Sequence, residues 1–471
     1  MRATSSILTG MAKYDPQYRA LFDTVLPILT DSAVLHAKFR HPTCRHLANC
    51  VHAVIKLGCL DAPRVLAALA PSIEARIDEF KAVELANIAW SYAKLNDAVV
   101  RTRVLEAVAS AARTRLTSHN DFNAQGLSMM VWSYATAALP MVSLFDAFAP
   151  VIIERIGELA ARNLANVAWA YGKVGLVNLP LFRAIASASK SLVLQFSTQN
   201  LANTLWAFMK VNFRDIELFE SFAPVVIPRL RDMNNLELTS SVWSYAMIDI
   251  YVPALFEAAE AEAVARKGRL GSQQIANLLY SFAMVDRRPE NVLPLIETIP
   301  AAFEREKCDG LLSQMHQWRL MVSDESFNEH MASIPGVREL FARCALAFQP
   351  VPPLNAALVA DVRRILELTP FSTMFQAPTK CERTGFTTSM AHYTSDAFKV
   401  AVEILGPAQF ITKTDQLKPS IRLKHRILAK HGWTLSLVTH ADWHGLETDR
   451  DKVLFLSNRL ETTLRAENML M

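Results

Sequence analysis

The sequence predicts a mainly α fold: a right-handed α-solenoid of helix pairs, about 37 residues each, followed by a small mixed α/β domain. Three observations carry this. An aromatic position recurs at near-constant spacing through the first two thirds of the chain. Glycine is scarce, 14 of 471 residues, in a chain that is 51% hydrophobic and 20% charged, which suits helices with a buried core rather than a sandwich or a disordered chain. Beyond residue 354 the period is lost and short β-branched runs replace it.

Residues 1–35 form an N-terminal segment outside the period. Its first 14 residues hold Arg2, Lys13 and several Ser and Thr but no acid, in the manner of a remnant organellar presequence.

The repeat region is expected over 36–345. The anchor falls at Trp90, Trp132, Trp169, Trp206, Trp243 and Tyr280, spaced 42, 37, 37, 37 and 37 apart. A copy precedes it at His52 and another follows at Trp318, each 38 residues away. Five residues before the anchor stand Leu85, Leu127, Leu164, Leu201, Leu238 and Ile275; two after it stand Tyr92, Tyr134, Tyr171, Phe208, Tyr245 and Phe282. That is helical spacing, and Thr198, Asn235 and Ser272, eight before the anchor, are suitable N-caps. A second amphipathic run follows each anchor, as in 99–116 and 179–194. A lone pair of such helices cannot bury its apolar faces, whereas stacked neighbours can.

On a helical wheel the residues seven and three before the anchor, and one and four after it, share a stripe. It holds Gln125, Arg162, Gln199 and Gln273, then Asn87, Asn166, Asn203 and Asn277, then Ser91, Ser133, Ser244 and Ser281, then Lys94, Lys173 and Lys210. Amides, hydroxyls and ammonium groups recurring every 37 residues suit one-base-per-repeat reading of single-stranded RNA. The asparagines serve equally as ties to backbone groups between helices, and core packing is the favoured role for the anchor tryptophans. Met129 and Ser240 break the asparagine series.

The strings LANIAWSYAKL (85–95), LANVAWAYGKVG (164–175), STQNLANTLWAFMKV (197–211) and SQQIANLLYSFAMV (272–285) resemble octotricopeptide repeats and the similar repeats of FAST-kinase-like proteins. The resemblance spans roughly residues 40–320 and implies helix-pair repeats of an organellar RNA-binding protein.

A Pro-rich linker, 346–354, contains FQPVPP and separates the repeats from a C-terminal domain over 355–471. There, helical text runs to Leu368, FKVAVEIL (398–405) reads as a strand, 421–431 as a basic helix, TLSLVT (434–439) as a second strand and 451–464 as a closing helix. VAVEILGP (400–407), Leu423-Lys424-His425-Arg426, His431-Gly432-Trp433 and Trp443 resemble a RAP domain over about 396–465. The resemblance implies an RNA-binding module of restriction-endonuclease-like fold, and with it a nuclease alternative. Where that family carries a second acid and a histidine after Glu403, this chain has Leu405 and Gln409, leaving only Glu403 and Asp396 to hold a metal ion. The basic residues Arg422, Lys424, Arg426 and Lys430 are spaced to lie largely along one helical face, either as a phosphate-contacting stripe or as a solvated face. Their segment, 411–434, carries about +5, which accounts for the net +4 of the whole chain. Trp443 is a further RNA-contact candidate.

No stretch of 18 apolar residues, P-loop or G-x-G-x-x-G occurs, so neither a spanning helix nor a kinase site is expected. The cysteines at 44, 50, 59, 308, 344 and 381 are irregularly spaced, and with His46 and His52 they fit structural roles rather than zinc. No cofactor, catalytic group, DNA or membrane partner is expected. The reading is an organellar RNA-binding protein acting on mRNA or rRNA in processing, stability, translation or ribosome assembly, mitochondrial rather than plastid. A structural component of a mitochondrial ribosome, contacting ribosomal proteins, and a degenerate or active metal-dependent RNA endonuclease are the alternatives.

Overall fold

The computed structural model describes residues 43–58, 62–118, 121–287, 295, 297–304, 306–349, 355–376, 379–395, 398–411 and 415–466. Residues 1–35, Cys59, Asp396 and most of the Pro-rich linker lie outside these. The chain divides into two compact units, up to Val225 and from Val226 onward, so the second holds the last repeats together with the α/β domain.

In the first unit the anchor-bearing helices are α1 (Cys44–Lys56), α3 (Ala82–Ala93), α5 (Ala124–Thr136), α7 (Ala161–Val174) and α9 (Thr198–Lys210). They pack on one another in sequence and alternate with α2 (Ala62–Glu74), α4 (Ala98–Ser118), α6 (Val142–Glu154), α8 (Leu179–Leu192) and α10 (Ile216–Val226). The second unit continues the alternation with anchor helices α11 (Asn235–Met247), α13 (Ser272–Met284) and α15 (Asp309–Val322). Between and after these come α12 (Pro253–Ala265), α14 (Ile299–Phe303), α16 (Glu325–Ser333) and α17 (Val337–Ala347).

Each anchor helix is built alike. The residue ten before the anchor (Phe80, Phe122, Leu159, Phe196, Met233, Leu270) and the one five before it (Leu85 through Ile275) are both buried, in the positions of a hydrophobic staple around the helix start. The caps lie one residue earlier than the sequence suggested. Ser197 and Asn234, not Thr198 and Asn235, accept the backbone N–H groups of Asn200 (3.2 Å) and Glu237 (2.9 Å), and Gly271 precedes Ser272. Two polar residues stand side by side there, and only the first has extended backbone that aims its oxygen at the open turn.

Three tyrosines two after the anchor are fully buried and join their helices to the second helix of the preceding repeat. Tyr92, Tyr134 and Tyr171 donate to the carbonyl oxygens of Leu66 (2.7 Å), Leu105 (2.5 Å) and Phe145 (2.7 Å). Six residues after the anchor the backbone turns left-handed at Ala138, Gly175, Asn212, Asp249 and Asp286 (φ 53 to 73°). At each, the next N–H reaches back five residues in the pattern of a Schellman turn, as Leu139 to Tyr134 (3.0 Å) and Arg287 to Phe282 (2.9 Å).

The copy at His52 holds its register: α1 starts eight residues before it, and the His52 ring lies 4.9 Å from that of Trp90. The copy at Trp318 does not. The anchor equivalent in α15 is Gln317, 37 residues after Tyr280 and facing its hydroxyl at 3.4 Å. Trp318 is instead buried against Phe327.

The α/β domain holds α18 (Ala356–Leu366), the short pair β1 (Thr379–Lys380) and β2 (Thr387–Thr388), and a sheet ordered β3 (Met390–Ser395), β4 (Phe398–Leu405), β5 (Trp433–Thr439). α19 (Pro419–Lys430) crosses between the parallel strands β4 and β5; α20 (His440–His444) and α21 (Asp449–Ala466) follow. The predicted strand–helix–strand–helix order is present, with antiparallel β3 added at the edge. Val400, Val402 and Ile404 pack into a core with Leu358, Val362, Leu456 and Leu460, from α18 and α21. Ala401, Glu403 and Leu405 alternate to the other face and are buried too, which is why β4 reads as a nearly continuous apolar run.

Candidate nucleic-acid interface

Helical periodicity brings the anchor and the residues seven before, three before and four after it to one face of each anchor helix. In the first unit Gln125, Arg162 and Gln199 are exposed, Asn87, Asn166 and Asn203 are half-buried, and Lys94 and Lys173 stand at the outer edge with Lys210. The side-chain amides of Asn87, Asn166 and Asn203, and of Asn277 in the second unit, bond no protein group among the described residues. They are therefore not the interhelical ties that the sequence left open.

Trp90, Trp132, Trp169, Trp206 and Trp243 are half-buried or nearly so rather than core, since full burial falls to the aromatics two residues on. Their rings follow one another along the helices: Trp132 and Trp169 lie 6.3 Å apart at 32°, and in the second unit Trp243 and Tyr280 stack at 5.6 Å and 28°. Lys94 Nζ sits 3.8 Å above the Trp90 ring and 5.9 Å from that of Trp132, and burial lowers its pKa. The serines do not belong to this face. Ser91, Ser133, Ser244 and Ser281 are buried and donate to the carbonyl four residues back, at 2.6 to 2.7 Å.

The basic helix α19 is turned inward. Arg422, Arg426 and Lys430, four residues apart, meet the ends of three successive anchor helices of the same unit. Arg422 pairs with Asp249 after α11. Arg426 donates to the carbonyl oxygens of Ala283 (2.7 Å) and Met284 (2.9 Å) at the end of α13 and lies 3.6 Å from Asp286. Lys430 donates to the Met321 carbonyl at 2.6 Å, near the end of α15. Cations at helix C-termini meet unsatisfied carbonyls and the negative end of the dipole. Lys424 is not in this row. It lies about 200° round the helix from Arg422 and bonds Glu403 Oε2 (2.6 Å) and the Thr387 carbonyl (2.9 Å) under the sheet. Charge spacing located the helix but not its neighbour.

Trp443 is also a correction. Its ring is 1% exposed, in the core, and its N–H donates to Asp361 (2.8 Å), so it cannot stack a base. Lys452, then Trp443, then Arg364 bond Asp361 and hold its carboxyl well below the usual carboxylate range.

Glu403 is buried between β4 and α19. Burial pushes its carboxyl above the usual range, against the pull of Lys424, and His425 Nε2 stands 3.9 Å away. Leu405 is in the core, and Gln409 accepts from the Gly406 N–H (2.6 Å). Among the described residues no three His, Cys, Asp or Glu side chains converge as a metal site. Cys44 and Cys50 are buried and form no disulfide.

Two family models match the chain. Residues 402–459, from β4 into α21, match the RAP domain. Residues 108–253, which include the anchors from Trp132 to Trp243, match the RNA-editing substrate-binding complex 6 protein. No curated protein matches.

Proposed function

We propose that this protein binds single-stranded RNA along the exposed face of its anchor helices and performs no chemistry on it. The carrying observation is the row of asparagine amides that no described protein group engages, repeated beside partly exposed indole rings and lysines. Flat rings suit base stacking, amides suit base edges, and ammonium groups suit phosphates. The match of residues 108–253 to a family named for RNA-editing substrate binding supports this reading, as does the RAP match. The target is proposed to be an organellar transcript, mitochondrial before plastid, in the octotricopeptide manner.

The test is crosslinking of the full chain in cells, with sequencing of the recovered RNA. A footprint of about six to ten nucleotides on few transcripts is expected from base-by-base reading. Broad recovery of ribosomal RNA would favour a ribosome component, and recovery of no RNA would remove the reading.

A further inference from the structure

The position four after the anchor changes character between the two units. In the first unit it holds Lys56, Lys94, Thr136, Lys173 and Lys210; in the second it holds Met247, Met284 and, counted from Gln317, Met321. The first unit offers lysines at this level on four of five anchor helices, and Lys173 and Lys210 bond no protein group among the described residues. In the second unit the carbonyls of Met284 and Met321 receive Arg426 and Lys430 from α19, and Arg422 takes the acid two residues beyond Met247. The cations of this level are thus supplied by the repeats themselves in one unit and by the docked helix in the other.

The anchor rings change in the same direction only beyond Trp243, which is half-buried like those of the first unit. Several tryptophans of the first unit are part-exposed, whereas Tyr280 is 7% exposed and its hydroxyl faces Gln317. A phosphate approaching the ends of α13 or α15 would have to displace charge-assisted bonds between Arg426 or Lys430 and backbone carbonyls, which are among the stronger polar interactions in proteins.

We infer that the RNA track belongs to the first unit: single-stranded RNA runs over the anchors carrying Lys94, Lys173 and Lys210, and the anchor helices of the second unit that α19 caps are closed to it. The inference rests on the RNA-binding reading above. It assigns the most basic helix among the described residues to docking, and phosphate binding to lysines scattered through the repeats.

The test measures binding of a fluorescent single-stranded RNA to the full chain as a function of salt. Each phosphate that a lysine neutralises adds about 0.7 to the steepness of log affinity against log salt. Lys173→Gln and Lys210→Gln should each remove one such increment, whereas Arg426→Gln and Lys430→Gln should leave the slope unchanged. Asn203→Ala should weaken binding about two- to tenfold, and Asn277→Ala should not. A slope lowered by Arg426→Gln or Lys430→Gln as much as by Lys173→Gln, or equal losses of affinity from the two asparagines, would overturn the inference while leaving RNA binding intact. Absence of salt-dependent binding by the unmodified chain would instead take away the RNA-binding reading and the track with it.

Discussion

Arg426 donates through Nη2 to the carbonyl oxygen of Met284 at 2.9 Å, although the two residues are 142 positions apart. The bond places a guanidinium from the crossover helix of the α/β domain on the last turn of a repeat helix, where carbonyls have no intrahelical partner. Arg426→Ala should therefore lower stability by about 1–3 kcal/mol, read as a shift in denaturation midpoint. If the side chain were solvated instead, the substitution would be nearly silent.

The left-handed residue of the repeat turn is glycine at positions 58 and 175; the equivalent residues elsewhere are Ala138, Asn212, Asp249 and Asp286. Ala138 (φ 54°) is the one with neither glycine's freedom nor a short polar side chain. Ala138→Gly should stabilise the protein by about 0.5–1 kcal/mol. Gly175→Ala should cost about 1 kcal/mol through backbone strain alone, because a Cβ there would meet nothing within 4 Å. Urea unfolding with unchanged slope would show both.

Acid should weaken the fold before carboxylates titrate. Burial lowers His316, and burial with Lys424 nearby lowers His425 to about 4, while both titrate near 6.5 when unfolded. Below pH 6.5 the unfolded chain binds protons that the folded chain refuses, so stability is full above that pH and falls as pH drops towards about 4. Glu403 acts with the opposite sign, since its raised pKa favours the fold below 4.5 and that gain fades as pH rises. His316→Gln should flatten the acid side of a stability–pH curve measured by chemical unfolding; an unchanged curve would count against a buried neutral imidazole there.

Trp443 anchors α20 to α18 through Asp361, which also accepts Lys452 of α21 at 2.9 Å. Trp443→Ala should cost about 3–5 kcal/mol from the cavity and the broken bond. Trp443→Phe, which keeps most of the ring, should cost about 1–3 kcal/mol. Neither should alter the salt slope of RNA binding, which would move if the indole touched RNA.

The repeat was legible because its period is enforced twice, by the leucine five before the anchor and by the aromatic two after it. Both are core positions where only large apolar side chains fit. Its last copy falls one residue from the expected place because the tryptophan at 318 outweighs the period, which the glutamine at 317 keeps. The asparagine and lysine positions could be placed on a face from the wheel. The serine beside the anchor could not, because it lies at the edge of that face and its hydroxyl bonds its own helix. The basic helix was the largest gap. A row of cations four residues apart has the same sequence whether phosphates or helix ends lie opposite, and only the fold chooses.

One irregularity in the array separates what is constrained from what is not. The interval between Trp90 and Trp132 is 42 rather than 37, and α4 spans 21 residues where α6, α8 and α12 span 13 or 14. The surplus is taken up in the second helix of the pair, while the anchor helices on either side keep the same start and tyrosine tie. The extra length of this array thus lies along an accessory helix, clear of the contacts that set the register of the anchor helices. Such a scaffold can acquire new surface on one side through successive insertions and deletions without losing its frame on the other.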